Sequence, residues 1–442
     1  MGVKNLLYLH SHDMGRYLGP YGYAMRTPHL QRFAEEGVLF RKAFAAAPTC
    51  SPSRAALLTG CTPHQNGQFG LTNHGWGLHH PDWHLARYLK KHGFHTISVS
   101  NDHVHELPVG EATEVWQEVH NHESMESYDR WITGEVAAAR IREGLPEPFF
   151  LAVGWDATHR SKWEMVEAHT RETMGLVDDR FAAPFPIYPD NAETRREAAL
   201  QARSVEYLDV QIGKVLRALE EAGKAADTLV IFVTDHGPGQ PDMKKDLLDF
   251  GTGTALMLRG PGIYGGGRVC DALVHQCDFF PTVCDAFGLP IPPWVTGKSW
   301  TGLLSGKAER VHTEIYTEQN YHGSACPLRA VRTERYKYIR HFGAAQSYRH
   351  YHVDQGLIHG QWKAWGRDEL AYPEEQLYDL ALDPLERRNL ADDPTRLPTL
   401  AELRGKLEAW MRETGDVFPR GALPPQPREE TYVSYSLKNT RV

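Results

Sequence analysis

No two of the six cysteines (Cys50, Cys61, Cys270, Cys277, Cys284, Cys326) form a CxxC pair, so neither a zinc knuckle nor a dense disulfide framework is indicated. The last four leave room for one bridge, but reduced core thiols are the simpler expectation. No apolar window approaches a bilayer-spanning length. The chain enters a strand at once, Asn5-Leu6-Leu7-Tyr8-Leu9, with no basic region and long apolar segment ahead of it. No membrane partner and a cytoplasmic location are therefore expected, or a secreted or periplasmic one if a signal has been trimmed. An excess of one charge is also missing: 48 basic residues stand against 56 acidic ones, a net of -8. That balance gives no reason to expect nucleic acid, and any anion must be held by a local cluster. Internal repeats and low-complexity tracts do not stand out.

What is abundant is histidine (24), tyrosine (19) and tryptophan (11), the residues that metal sites, proton transfer and sugar-stacking platforms draw on. Apolar strands recur along the chain, each ending in a polar tip. Lys4–His10 leads to Ser11-His12-Asp13, Thr96–Ser100 to Asn101-Asp102-His103, and Pro148–Gly154 to Trp155-Asp156-Ala157-Thr158-His159-Arg160. Thr228–Thr234 leads to Asp235-His236-Gly237, and a further strand runs toward Cys50. A long helix from about Glu193 to Ala222 presents Val205, Leu208, Val210, Ile212, Val215, Leu216 and Leu219 as a core-facing stripe. This alternation predicts a doubly wound, mostly parallel α/β sheet with helices on both faces and its site along the carboxyl edge. Near residue 325 the rhythm changes. Leu328–Thr333 and Tyr336–His341 read as an antiparallel pair, Gln376–Leu380 as another strand and Thr399–Thr414 as a helix. The expected division is a catalytic domain over 1–325 and, over 326–442, a smaller C-terminal α+β subdomain with an antiparallel sheet and an extended tail from Pro419.

The stretch Cys50-Ser51-Pro52-Ser53-Arg54 through Thr59-Gly60 places a sulfur at a strand-to-helix junction, over the positive end of a helix that Ser51 or Ser53 can cap. Arg54 can neutralise an anion in front of it. A buried cysteine beside a helix cap would read the same way in isolation. The stretch nevertheless resembles the signature of the sulfatase family, within the alkaline phosphatase superfamily, whose cysteine is oxidised to formylglycine by a maturation enzyme. The Arg26–Phe40 segment resembles the one that precedes the cysteine in that family, and residues 377–394 resemble its carboxyl-terminal region. His64-Gln65-Asn66-Gly67, read as a loop over the site, and Tyr321-His322 narrow the likeness to the heparan N-sulfatase branch.

That resemblance implies one divalent metal, usually calcium, held by Asp13, the formylglycine from Cys50, and Asp235-His236. His12 stands where the family has an acid. Calcium prefers oxygen ligands, so an imidazole there brings manganese or zinc into range. Arg54 and Lys244 are the implied anion clamp, His159 the acid facing the leaving group, and His103 the base that releases sulfate. His103 retains the histidine of a Lys-x-His motif whose lysine is absent. Arg160, His64 and His322 are the expected substrate-binding residues. The expected activity is hydrolysis of a sulfate ester or N-sulfate on a small molecule or oligosaccharide, with homo-oligomerisation left open. Two alternatives remain: a phosphonate or phosphate ester hydrolase of the same superfamily, and an inactive homologue that only binds sulfated ligands.

Overall fold

The computed structural model describes residues 2–100, 103–104, 114–121, 128–342, 354–416, 424–425 and 427. Asn101 and Asp102 of the expected triplet, and nearly all of the tail from Pro419, lie outside them. In chain order the strands of the larger sheet are β1 (Asn5–Ser11), β2 (Val38–Phe44), β3 (His95–Val99), β4 (Glu118–His120), β5 (Phe149–Trp155), β6 (Thr228–Thr234), β7 (Gly253–Arg259), β8 (Arg268–Cys270) and β9 (Val274–His275). Their spatial order is β4-β3-β5-β1-β6-β7-β2-β8, with β9 also on β2. β1 pairs parallel with β5 and β6, while β7 runs antiparallel to both β6 and β2. The expected mostly parallel, doubly wound architecture is therefore present. β4, β8 and β9 did not stand out in the sequence because strands of two or three residues carry little periodic signal, and the interior strand β7 was missed as well.

β1 shows why the strands read as continuous apolar runs. Leu6 and Tyr8 enter one core layer with Ala55, Leu57 and Leu58 of the Cys50 helix, whereas Leu7 and Leu9 face Val205, Leu208, Ile212 and Leu219 of the helix Ala192–Glu221. Both faces are covered, so neither alternate position can be polar until the strand ends. At that end the backbone groups still need partners and the side chains meet an opening, which is where the polar residues begin.

The second sheet, β10 (Glu314–His322), β11 (Ser324–Thr333), β12 (Tyr336–His341) and β13 (Glu375–Asp379), is antiparallel in chain order. It takes in Glu314–His322, ahead of residue 326. The helix Leu397–Glu413 lays Leu400, Leu403, Leu407 and Met411 on Val331, Tyr338 and Leu377. A buried ionic seam joins this sheet to the larger body. Lys337 Nζ lies 2.6 Å from Asp249, 2.8 Å from Glu386 and 2.9 Å from the carbonyl of Leu247, and Arg332 pairs with Asp249 at 3.0 Å. All six cysteines are free thiols.

Candidate active site

Three neighbouring strands, β5, β1 and β6, deliver His159, His12-Asp13 and Asp235-His236 to one place, and Cys50 meets them from the first turn of its helix Cys50–Thr59. Thr49, not Ser51 or Ser53, precedes the helix, and its hydroxyl lies 2.6 Å from His322 Nδ1 instead of capping the backbone. The serines serve inside the helix. Ser53 Oγ donates to the Asp235 carbonyl at 2.7 Å, and Ser51 Oγ accepts from the Thr72 N–H at 3.1 Å. Helix and β6 tip are thus locked together. Gln276 adds to the lock by donating to the same Asp235 carbonyl at 2.7 Å.

The centre is a buried set of donors. His12, Asp13, Cys50 and Asp235 each offer one ligand atom, all within 4.8 Å of one another. Asp13 has a left-handed backbone (φ 47°), which turns its N–H to Asp235 Oδ1 at 2.9 Å and its carboxylate inward. Cys50 Sγ lies 3.6 Å from Asp13 Oδ1 and 3.3 Å from His236 Nε2. His236 donates Nδ1–H to the Gly237 carbonyl at 2.8 Å, so its Nε2 lone pair faces Asp13 Oδ1 at 3.3 Å. That tautomer is the one a metal ligand requires. Gly237 is obligatory there, because a Cβ would stand 1.9 Å from the Phe250 carbonyl oxygen. His12 Nδ1 is buried without a hydrogen bond, 3.5 Å from Asp235 Oδ2. Burial, reinforced by Arg54, holds the His12 ring neutral, well below the ordinary histidine range. A neutral orphaned nitrogen beside two carboxylates fits a divalent cation.

Cations surround this centre on two sides. Lys244 Nζ donates to Asp13 Oδ2 at 2.7 Å and lies 3.4 Å from Asp354 and 3.3 Å from His159 Nε2. Burial opposes its charge, but Asp13 and Asp354 outweigh burial and keep it an ammonium well above the usual lysine range. Arg54, buried beneath the donors, bonds His10 Nδ1, the Ser11 carbonyl at 3.3 Å and Asp235 Oδ2 at 3.3 Å. Its guanidinium therefore braces Asp235 from below, a different place from the clamp expected in front of residue 50. His103 lies with its ring 5.3 Å from that of His12, and burial followed by Arg54 pushes it down to about 4.

Two expected substrate contacts are elsewhere. Arg160 Nε and Nη2 each bond Glu197 at 2.6 Å, and its Nη groups also bond Glu164 at 2.9 Å, so its charge is consumed in a buried ion pair. His64 sits in a short helix, Pro63–Asn66, that Thr62 and Gln65 close with a capping box, where the sequence suggested loop. Its ring and N–H are both held by Glu318, at 2.9 and 2.8 Å, in the small sheet's buried network with Arg329. His322 does come to the site, through Thr49. Asp354 was missed. Its carboxylate lies 3.6 Å from His159 Nδ1, yet it stands far along the chain in no recognisable motif.

Comparison with known proteins gives the family. Residues 4–289 match the sulfatase family, and residues 244–356 match the family described as N-sulphoglucosamine sulphohydrolase, C-terminal. The chain belongs to the sulfatase family, whose members are sulfuric ester hydrolases. Among its relatives, the human N-sulphoglucosamine sulphohydrolase is 30% identical over 95% of this chain and 93% of its own. An ulvan-active sulfatase of Formosa agariphila is 27% identical over 93% and 75%, and a Δ4,5-hexuronate-2-O-sulfatase of Bacteroides thetaiotaomicron 25% over 94% and 90%. In fold the chain resembles a 2-O GAG sulfatase (TM-score 0.71, 22% identity, 97% and 98% of the two chains). It equally resembles a protein solved with its substrate D-glucosamine-2-N,6-O-disulfate (TM-score 0.71, 17% identity, 95% and 100%).

Proposed function

We propose that this enzyme removes sulfate, as an O-ester or an N-sulfate, from a sulfated carbohydrate, with residue 50 as nucleophile after a maturation enzyme has converted Cys50 to formylglycine. The observation that carries the reading is the position of Cys50, at a helix start, 3.6 Å from Asp13 and 3.3 Å from His236 and beside the Lys244 ammonium. As a thiol it is ill suited to attack, because burial pushes it well above the ordinary cysteine range despite Lys244. The relatives' names support a sulfated sugar as substrate class, N-sulfated in one and O-sulfated in another.

Asp13, Asp235, His12, His236 and residue 50 would hold the divalent metal. Calcium follows from the family, and the two imidazoles extend the range to manganese and zinc. A bound divalent cation would draw charge off the sulfate oxygens and acidify the hydroxyl of residue 50. The chain's own groups account for the other steps. Lys244, whose ammonium faces Asp13, donates to a sulfate oxygen, and Arg54 holds the Asp235 carboxylate in orientation. His159, with 23% of its side chain accessible, hands a proton to the departing oxygen or nitrogen. His103, neutral near pH 7, then takes the proton of the second hydroxyl at residue 50, so that sulfate leaves and the aldehyde returns.

Peptide mass spectrometry on protein from the native host tests the nucleophile: the peptide bearing residue 50 is expected to have lost one sulfur and two hydrogens and gained one oxygen. A thiol there would sink the mechanism. Paired aryl esters test the chemistry, with kcat/KM higher for sulfate than for phosphate. A preference for phosphate of about tenfold, ~1.4 kcal/mol in barrier, would move the enzyme to the phosphate and phosphonate hydrolases.

A further inference from the structure

A hollow of about 630 Å³ is lined by Tyr188, Asp242, Trp362, Trp365, Arg367 and Arg387, among others. Its volume is that of a small-ligand pocket. Trp365 leaves 60% of its surface accessible, a large exposure for an indole that the chain ordered to no core purpose. The neighbouring Trp362 is buried against Tyr188 with ring centroids 5.6 Å apart, and the Arg367 guanidinium lies 5.3 Å over its ring. The floor is therefore rigid, and the indole above it is presented to solvent. Arg367 lies 3.1 Å from the buried Asp242, while Arg387 gives one N–H to the Ile187 carbonyl at 3.1 Å and stays exposed. Two guanidiniums against one carboxylate leave the hollow positive.

Two segments of chain run from the catalytic centre to the hollow's walls. Asp242 precedes Lys244 by two residues on one loop, and Asp354, which pairs with Lys244, leads into the helix Leu357–Ala364 that carries Trp362 and ends at Trp365. That helix rises about 12 Å, the length of a short glycan.

We infer that this hollow is an accessory binding site for a sulfated sugar residue of an extended substrate, with the ring stacked on Trp365 and its sulfate at Arg387 and Arg367. A pyranose offers an apolar C–H face to an aromatic ring and a sulfate offers planar sets of oxygens to a guanidinium, which is the combination present. The inference rests on the proposed sulfatase activity for its choice of ligand. Among other occupants, an unsulfated glycan would use the indole alone, and a protein partner would not depend on sulfate.

The test uses the mature enzyme, a heparin-derived hexasaccharide and its fully desulfated counterpart, with 4-nitrophenyl sulfate as the small substrate. Trp365→Ala and Arg387→Gln are both at exposed positions, so each leaves the core intact. Each is expected to weaken hexasaccharide binding in calorimetry by about tenfold while kcat/KM on 4-nitrophenyl sulfate stays unchanged. Equal hexasaccharide affinity in parent and variants overturns the accessory site, as does equal affinity of the parent for the desulfated sugar. No hexasaccharide binding by a parent that turns over 4-nitrophenyl sulfate also overturns it and leaves the catalytic reading standing. Binding that the variants lose, by a parent inert toward 4-nitrophenyl sulfate, upholds the site and overturns the catalytic reading instead.

Discussion

Replacing His12 by aspartate puts a third carboxylate into a buried cluster that already holds Asp13 and Asp235. His12 Nδ1 stands 3.5 Å from Asp235 Oδ2, so the new oxygens fall at a similar separation. Two unit charges roughly 4 Å apart repel by about 4 kcal/mol at an effective dielectric of ~20. Arg54, 3.3 Å from Asp235, offsets part of this, and a net loss of about 2 kcal/mol in the metal-free protein is the reasonable size. A bound divalent cation removes the repulsion, so the loss should return as tighter calcium binding. Thermal unfolding after chelation, then with calcium or manganese added, measures both halves. The expected result is a metal-free Tm lower by about 2 °C in His12→Asp, with a calcium-induced rise larger than the parent's. In the parent, manganese should stabilise more than calcium. If the metal-free Tm and both metal-induced shifts are the same in variant and parent, His12 does not face the cation and the donor set above is wrong.

Other predictions concern buried charge away from the cation. His275, pushed down to about 4 from an ordinary 6.5 chiefly by burial, is neutral in the fold, so the stability it preserves above pH ~6.5 is lost as pH falls through ~4. That amounts to roughly 3 kcal/mol, and His275→Asn, which can still cap its helix, should flatten the acid limb of a Tm-versus-pH curve. Glu386 has the opposite sign: burial raises it to about 7, so its contribution, present below pH ~4.5, is lost as pH rises through 7. Glu386→Gln should therefore gain stability relative to the parent at pH 8 and not at pH 5, as read by urea midpoints. Arg160→Gln leaves Glu197 buried without its counter-charge, with only Gln240 and the Leu357 N–H still bonded to it, and should cost about 3 kcal/mol in unfolding free energy, while KM for an aryl sulfate moves by less than about twofold. A large KM change with unaltered stability would restore Arg160 to the substrate.

The fold and the centre of the site were legible in the amino-acid order because both depend on short-range pattern. A strand covered on two faces must be apolar until it ends, so the tips His12-Asp13, His159 and Asp235-His236 announce themselves, and the Cys50 helix is marked by its own composition. Which charges meet is another matter. Arg160 looks like a free cation until Glu197, 37 residues away, folds onto it, and His64 like a loop ligand until Glu318 arrives from the small sheet. Asp354 gains its place only because residues after the small sheet's third strand return to Lys244, 110 residues earlier. Arg54 is in the predicted helix, yet its direction, under Asp235 and against His10, was set by Gly154. A Cβ at that position on β5 would stand 2.2 Å from the imidazole, and its absence lets His10 occupy the space beside the guanidinium. The sequence thus determined which residue types reach the carboxyl edge, since that follows from burial along each strand. Only tertiary packing decided which of those charges are neutralised and which still face a substrate, since a carboxylate or guanidinium acquires its partner from whatever distant segment is buried against it.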